Sequence, residues 1–102
     1  MYEACHSLDE GEIVNESHDE WPLFTLLVCG SKVENMKISK RLMCTLKHLP
    51  VRLQVFYNTN AEKCIEMGGG GDPSVFLDDK LLFEGLIQAE EIKDIFEKLL
   101  AK

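Results

Sequence analysis

The first twenty residues contain no lysine and no arginine. They carry seven of the eighteen acids, Glu3, Asp9, Glu10, Glu12, Glu16, Asp19 and Glu20, and leave eleven acids against eleven bases in the remainder. Neutralising a nucleic-acid backbone takes a basic patch, so neither segment suits a nucleic-acid partner. No apolar run approaches the roughly 18 residues that a membrane span needs. The acidic start is unlike the basic, apolar leader of a secreted or imported chain, so a cytoplasmic address with no membrane partner is expected. Close cysteine pairs are missing too. Cys5, Cys29, Cys44 and Cys64 are spread through the chain, a spacing that excludes the zinc ribbon and the local redox dithiol. Reduced thiols packed as small hydrophobes are the expectation. No internal repeat is visible. At 102 residues there is room for one core.

Within that limit the pattern is legible. An acidic arm, 1–21, gives way at Trp21-Pro22 to a domain spanning 22–102. Leu23 to Cys29 is an apolar run of the length of a strand buried on both faces, ended by Gly30-Ser31. From about Val33 to Leu49, Ile38, Leu42, Leu46 and Leu49 recur at helical spacing, with Lys37, Lys40, Arg41 and Lys47 on the wet face, and Pro50 stops the helix. Val51, Leu53, Val55 and Tyr57 alternate with polar or less buried positions as a second strand does. Asn58-Thr59-Asn60 offers a cap for a short helix over 61–67, which four glycines end. Ser74–Leu77 and Lys80–Glu84 flank Asp78-Asp79, residues suited to a tight antiparallel hairpin. Ile92, Ile95, Phe96, Leu99 and Leu100 form the stripe of a last helix, with Glu90 and Glu91 near its positive end.

The order βαβ-(α)-ββα implies an α/β domain with one mixed four-stranded sheet and helices on both faces. From Leu23 to Leu100 the chain resembles the thioredoxin and glutaredoxin family, in particular its small redox-disulfide members. The resemblance is carried by Phe24 to Gly30 as first strand, by Asp72-Pro73-Ser74-Val75-Phe76-Leu77, and by Lys80-Leu81-Leu82-Phe83-Glu84-Gly85 with the Glu-rich helix start. It implies a cis Asp72-Pro73 bond, with Asp72 placed beside the start of the first helix, where relatives accept an extended peptide.

One departure decides the expected function. The resemblance places a Cys-x-x-Cys at the start of the first helix, where the helix dipole favours a thiolate. Here Val33-Glu34-Asn35-Met36 stands in that place, and neither Val33 nor Met36 can form a mixed disulfide. Ordinary oxidoreductase activity is therefore not expected. The leading expectation is a non-catalytic binding or adaptor module, a monomer or homodimer, whose groove of Val33, Met36, Asp72 and Pro73 takes a protein or peptide partner. The rival is a single-thiol redox protein or sensor using Cys29, whose plainer role is a buried strand residue. A Cys29 to Cys64 disulfide needs Cα atoms within about 7 Å, which spacing does not reveal.

No cofactor or metal is expected. A [2Fe-2S] cluster of the thioredoxin-like ferredoxin kind needs four thiolates. Cys29 and Cys64 stand near two of those positions, while Gly68 occupies a third and Cys44 falls inside the helix. Gly68 to Gly71 lack the lysine of a phosphate loop and precede a strand, so they read as a connection. The arm, with Cys5, His6 and His18, reads as a solvated tail rather than a ligand set. Ile13-Val14 and Trp21 are the residues able to pack it on the domain as an added edge strand.

Overall fold

A computed structural model describes residues 6–101. The elements, in chain order, are β1 (Ile13–Val14), β2 (Leu23–Cys29), α1 (Lys32–Leu46), β3 (Arg52–Asn58), α2 (Ala61–Glu66), β4 (Ser74–Leu77), β5 (Lys80–Glu84) and α3 (Ala89–Leu100). The α/β class is as expected, but the sheet has five strands in the order β1-β3-β2-β4-β5 rather than four. The additional strand comes from the arm: Ile13 pairs with Gln54 and Val14 with Leu53, antiparallel to β3.

The centre of the sheet follows from composition. β2 and β3 run parallel over seven residues each, and β2 is antiparallel to β4. Leu26, Val28, Leu53, Val55 and Val75 are wholly buried. They share a core with Ile38, Leu42 and Leu46 of α1 and with Ile92 and Phe96 of α3. Phe24 meets Phe96 edge to face, ring centroids 5.5 Å apart, a favourable geometry for aromatic pairs. On the other side Cys29 and Phe76 pack with Cys64 of α2. Helices thus lie on both faces, two on one and a single short one on the other.

Local signals account for the boundaries. Asp78 and Asp79 both take positive φ, 52° and 66°, as a two-residue hairpin requires. Ser31 and Glu34 have capping-box spacing, and the Ser31 hydroxyl accepts from the Glu34 N–H, so α1 starts at Lys32. The helix ends at Leu46, earlier than Pro50 alone suggests. Asn15 braces the passage from helix to strand: its Nδ2 donates to the carbonyls of Val51 (2.9 Å) and of Leu46 (3.1 Å), which also accepts from the Leu49 N–H.

The described part of the arm is therefore no solvated tail. Leu8 is 4% exposed and belongs to the main core with Val14. Gly11 N–H donates to the Val55 carbonyl, and the Glu10 carboxylate accepts from the Tyr57 N–H. Backbone and carboxylate together cover the β3 edge, an exposed liability in any sheet. Cys5 lies outside the described residues, and His18 stacks on Trp21 with ring centroids 3.8 Å apart. Among the described residues no helix is long and apolar enough to cross a membrane, and no group of His, Cys, Asp and Glu could hold a metal ion.

Candidate functional site

The start of α1 and the Asp72-Pro73 turn meet at the carboxyl ends of β2 and β3. The Asp72-Pro73 bond is cis. The Asp72 carboxylate accepts a 2.9 Å hydrogen bond from the Ser31 N–H, a donor at the α1 start that the helix itself leaves without a partner. Gly30 is required by space. A Cβ there would collide with Asp72 Oδ1 and would lie 3.0 Å from Pro73 Cα and 2.9 Å from Asn35 Oδ1. Asn35 locks the corner from beneath, its Nδ2 donating to the Gly30 carbonyl at 3.0 Å. Its Oδ1 is buried and has no hydrogen-bond partner among the described residues, an unusual state for an amide oxygen.

Three of the four residues expected at the groove lie open at this corner. Val33 is 60% exposed and Met36 47% exposed, one helical turn apart and so on the same face. Asp72 is exposed, and its own N–H and carbonyl make no hydrogen bond among the described residues. Pro73 is buried and supports the turn instead of lining it. Its carbonyl accepts from the Gly85 N–H, which fixes the turn to the end of β5.

Beyond Met36 the surface continues into a cleft of about 460 Å³ between α1, the end of β3 and the arm. Leu8, Met36 and Tyr57 give it apolar walls, with Lys32 and Glu10 among the charged residues lining it. The arm is tied down here: Ser7 Oγ donates to the Met36 carbonyl, Leu8 N–H to Ser39 Oγ, and the Tyr57 hydroxyl to the Leu8 carbonyl. Burial pushes the Tyr57 hydroxyl above its ordinary value of 10.0, with the carboxylates of Glu12, Asp9 and Glu10 acting in the same direction against a hydrogen bond from Ser39. Glu12 is shifted the other way. Its carboxylate accepts from the Asp9 N–H and pairs with His6, and these contacts hold it below 4.5.

The cysteines overturn the expectation of reduced thiols. Cys29, fully buried at the end of β2, is joined to Cys64 of α2 by a disulfide, with Cα atoms 5.8 Å apart. No free thiol occurs among the described cysteines, and Cys44 is engaged as well. In this state Cys29 presents no lone thiolate.

Sequence reasoning missed Gly30, Ser31, Asn35 and the wall that the arm builds. Ser31-Lys32-Val33-Glu34 carried a usable signal, the capping box, which marks Ser31 as the cap and Val33 as the second helical residue. Asn35 carried none. No family model, curated protein or solved structure matches the chain.

Proposed function

We propose that this chain is a thioredoxin-like module without the family's dithiol, and that it works by binding a protein segment in extended conformation rather than by catalysis. The architecture supports the reading: a parallel β2·β3 pair beside an antiparallel β4·β5 hairpin, α1 and α3 on one face, α2 on the other, and a proline turn against the α1 start. The observation that carries the binding role is the Asp72 to Ser31 hydrogen bond. It ties Asp72, an exposed residue, to the start of the helix that carries the exposed Val33 and Met36.

An extended segment pairs its backbone with the open N–H and carbonyl of Asp72, and alternate side chains meet the apolar lip of Val33 and Met36. Methionine suits such a surface because its unbranched thioether adapts to different partners. The cleft walled by Leu8, Met36 and Tyr57 receives the next side chain along. The proposed setting is the cytoplasm, and the proposed partner is a protein.

The test is selection of extended peptides from a random library on the wild-type domain, followed by amide shift mapping. Shifts concentrated at Ser31 to Met36 and at Asp72 support the reading. Selected peptides that perturb only α3, or the β5 edge, contradict it.

A further inference from the structure

We infer that the Cys29–Cys64 pair is a reversible redox site, with a dithiol as its co-reactant, and that reducing it unlatches α2 while the rest of the domain stays folded. Little else packs α2 onto the domain. The helix has six residues, well below the roughly 12–15 at which an isolated helix becomes even marginal in water. Cys64 is its one buried residue. Ile65 beside it is 66% exposed, and Met67, at the helix end, is only half-buried. Besides the Asn60 side chain, which caps the helix by accepting from the Lys63 N–H, the burial of Cys64 is thus the main packing contact of the helix with the domain.

The surroundings of that sulfur are equally spare. Cys64, Cys29 and Phe76 form a cluster of their own, with only Leu27 and Met67 packed against it, separate from the main core. Local opening costs least where buried apolar contacts are few. Cys64 is the outer residue of the pair, 6% exposed against 0% for Cys29, so a reductant approaches the pair from its side. Past α2 the glycines Gly68, with φ 102°, and Gly70 have nothing near a would-be Cβ, so side-chain packing does not hold the chain there. Between them Gly69 sits close over Ser74 and Phe76 with its N–H donating to the Cys64 carbonyl, and the Gly71 carbonyl accepts from Ser74 Oγ.

The exchange balances. One thiolate of the dithiol attacks Cys64 Sγ, the S–S bond breaks, and Cys29 leaves as a thiolate and takes up a proton. The second thiolate of the reductant then attacks the reductant's sulfur in the mixed disulfide and releases Cys64, which is protonated in turn. Two electrons and two protons have passed to the pair, and the dithiol has become a disulfide. In a reducing compartment a disulfide of this kind is transient and regulatory in character.

The pair also borders the groove. Cys29 directly precedes Gly30, and the segment released with α2 leads into Asp72. That consequence rests on the peptide-binding reading above; the latch itself does not.

Hydrogen exchange read by mass spectrometry tests the latch on the full chain, oxidised and then reduced with dithiothreitol, with alkylation reporting the state of each cysteine. The expected result is at least about tenfold faster exchange of the α2 amides after reduction. These amides include Cys64, Met67 and Gly68, bonded to the carbonyls of Asn60, Lys63 and Ile65. Protection in β2, β3, α1 and α3 is expected to stay unchanged. Equal protection of α2 in both states overturns the proposal, and so does loss of protection throughout the domain, which would make the disulfide a global staple. Cys64→Ser is expected to exchange fast at α2 without reductant and to change no further when it is added. A remaining response to reductant in that variant assigns the effect to another thiol and overturns the proposal. Should the variant not fold, the wild-type comparison decides alone. None of these readouts involves peptide binding, so the latch and the groove fail separately.

Discussion

The carboxylate of Asp72 and the backbone N–H of Ser31, 41 residues apart in sequence, are 2.9 Å apart in the structure. A single charge-assisted hydrogen bond thus closes one turn against the start of α1. Its removal has a measurable cost. Asp72→Ala is expected to lower stability by about 1.5–3 kcal/mol, the range for hydrogen bonds to charged groups. Asp72→Asn, which keeps an acceptor oxygen, loses about half as much. Urea denaturation followed by circular dichroism measures both, and equal loss in the two variants would contradict the role assigned to the carboxylate.

The corner beneath that bond has no room for a side chain. Gly30→Ala places a methyl group against Asp72 Oδ1 and 3.0 Å from Pro73 Cα, part of the backbone. A loss of about 1–3 kcal/mol is expected, as for other overpacked sites. Gly70→Ala is the control, since nothing lies within 4 Å of the added methyl. It is expected to change stability by less than about 1 kcal/mol, in the stabilising direction. Similar losses at both glycines would contradict the close approach at Gly30.

The arm contributes to the fold, and two substitutions separate its contacts. Leu8→Ala removes a buried core side chain and is expected to cost about 2–5 kcal/mol, the range for buried leucine. Asn15→Ala removes the side-chain donor to the carbonyls of Leu46 and Val51, the former keeping the Leu49 N–H, and is expected to cost about 1–2 kcal/mol. Thermal or urea denaturation measures both. Changes within about 0.5 kcal/mol, the surface range, would make the arm an appendage after all.

Stability should depend on pH through Glu12. Its carboxyl is held below 4.5 in the folded state, first by the Asp9 N–H and then by His6. The stabilisation is therefore complete above 4.5 and is lost as pH falls through the lowered value. Glu12→Gln is expected to flatten that acid limb of the stability curve. Tyr57 works in the opposite sense at the alkaline end: its raised pKa gives stability that is present below 10.0 and lost as pH rises beyond it. Denaturation midpoints of wild type and Glu12→Gln between pH 3 and 6 check the first effect, and parallel curves would contradict it.

How much could be read in advance varied with the range of the interaction involved. The β2 run, the alternation in β3, the Asp78-Asp79 turn and the α3 stripe are local patterns, and each became the element expected. The fifth strand has only two residues and pairs across about forty positions with β3, so hydropathy around Ile13 and Val14 could suggest it but not place it. The disulfide joins cysteines 35 residues apart. Only the fold determines their distance, and with nothing in the sequence to suggest an oxidising compartment reduced thiols are the expectation. At the candidate site Val33, Met36, Asp72 and Pro73 are all expected through a resemblance, and of these Val33, Met36 and Asp72 are exposed while Pro73 is buried. Gly30 and Asn35 act through backbone contacts that their identities alone do not announce.

The most direct test of the account is binding of a library-selected peptide to wild type and to the Val33→Ala, Met36→Ala double variant, with the melting temperature of each. Both side chains are largely exposed, so truncation should leave stability within about 1 kcal/mol. Affinity is expected to fall about tenfold or more, the loss of about 1.4 kcal/mol that an apolar anchor contributes. Unchanged affinity, or affinity and melting temperature falling together, would contradict a binding groove at the start of α1.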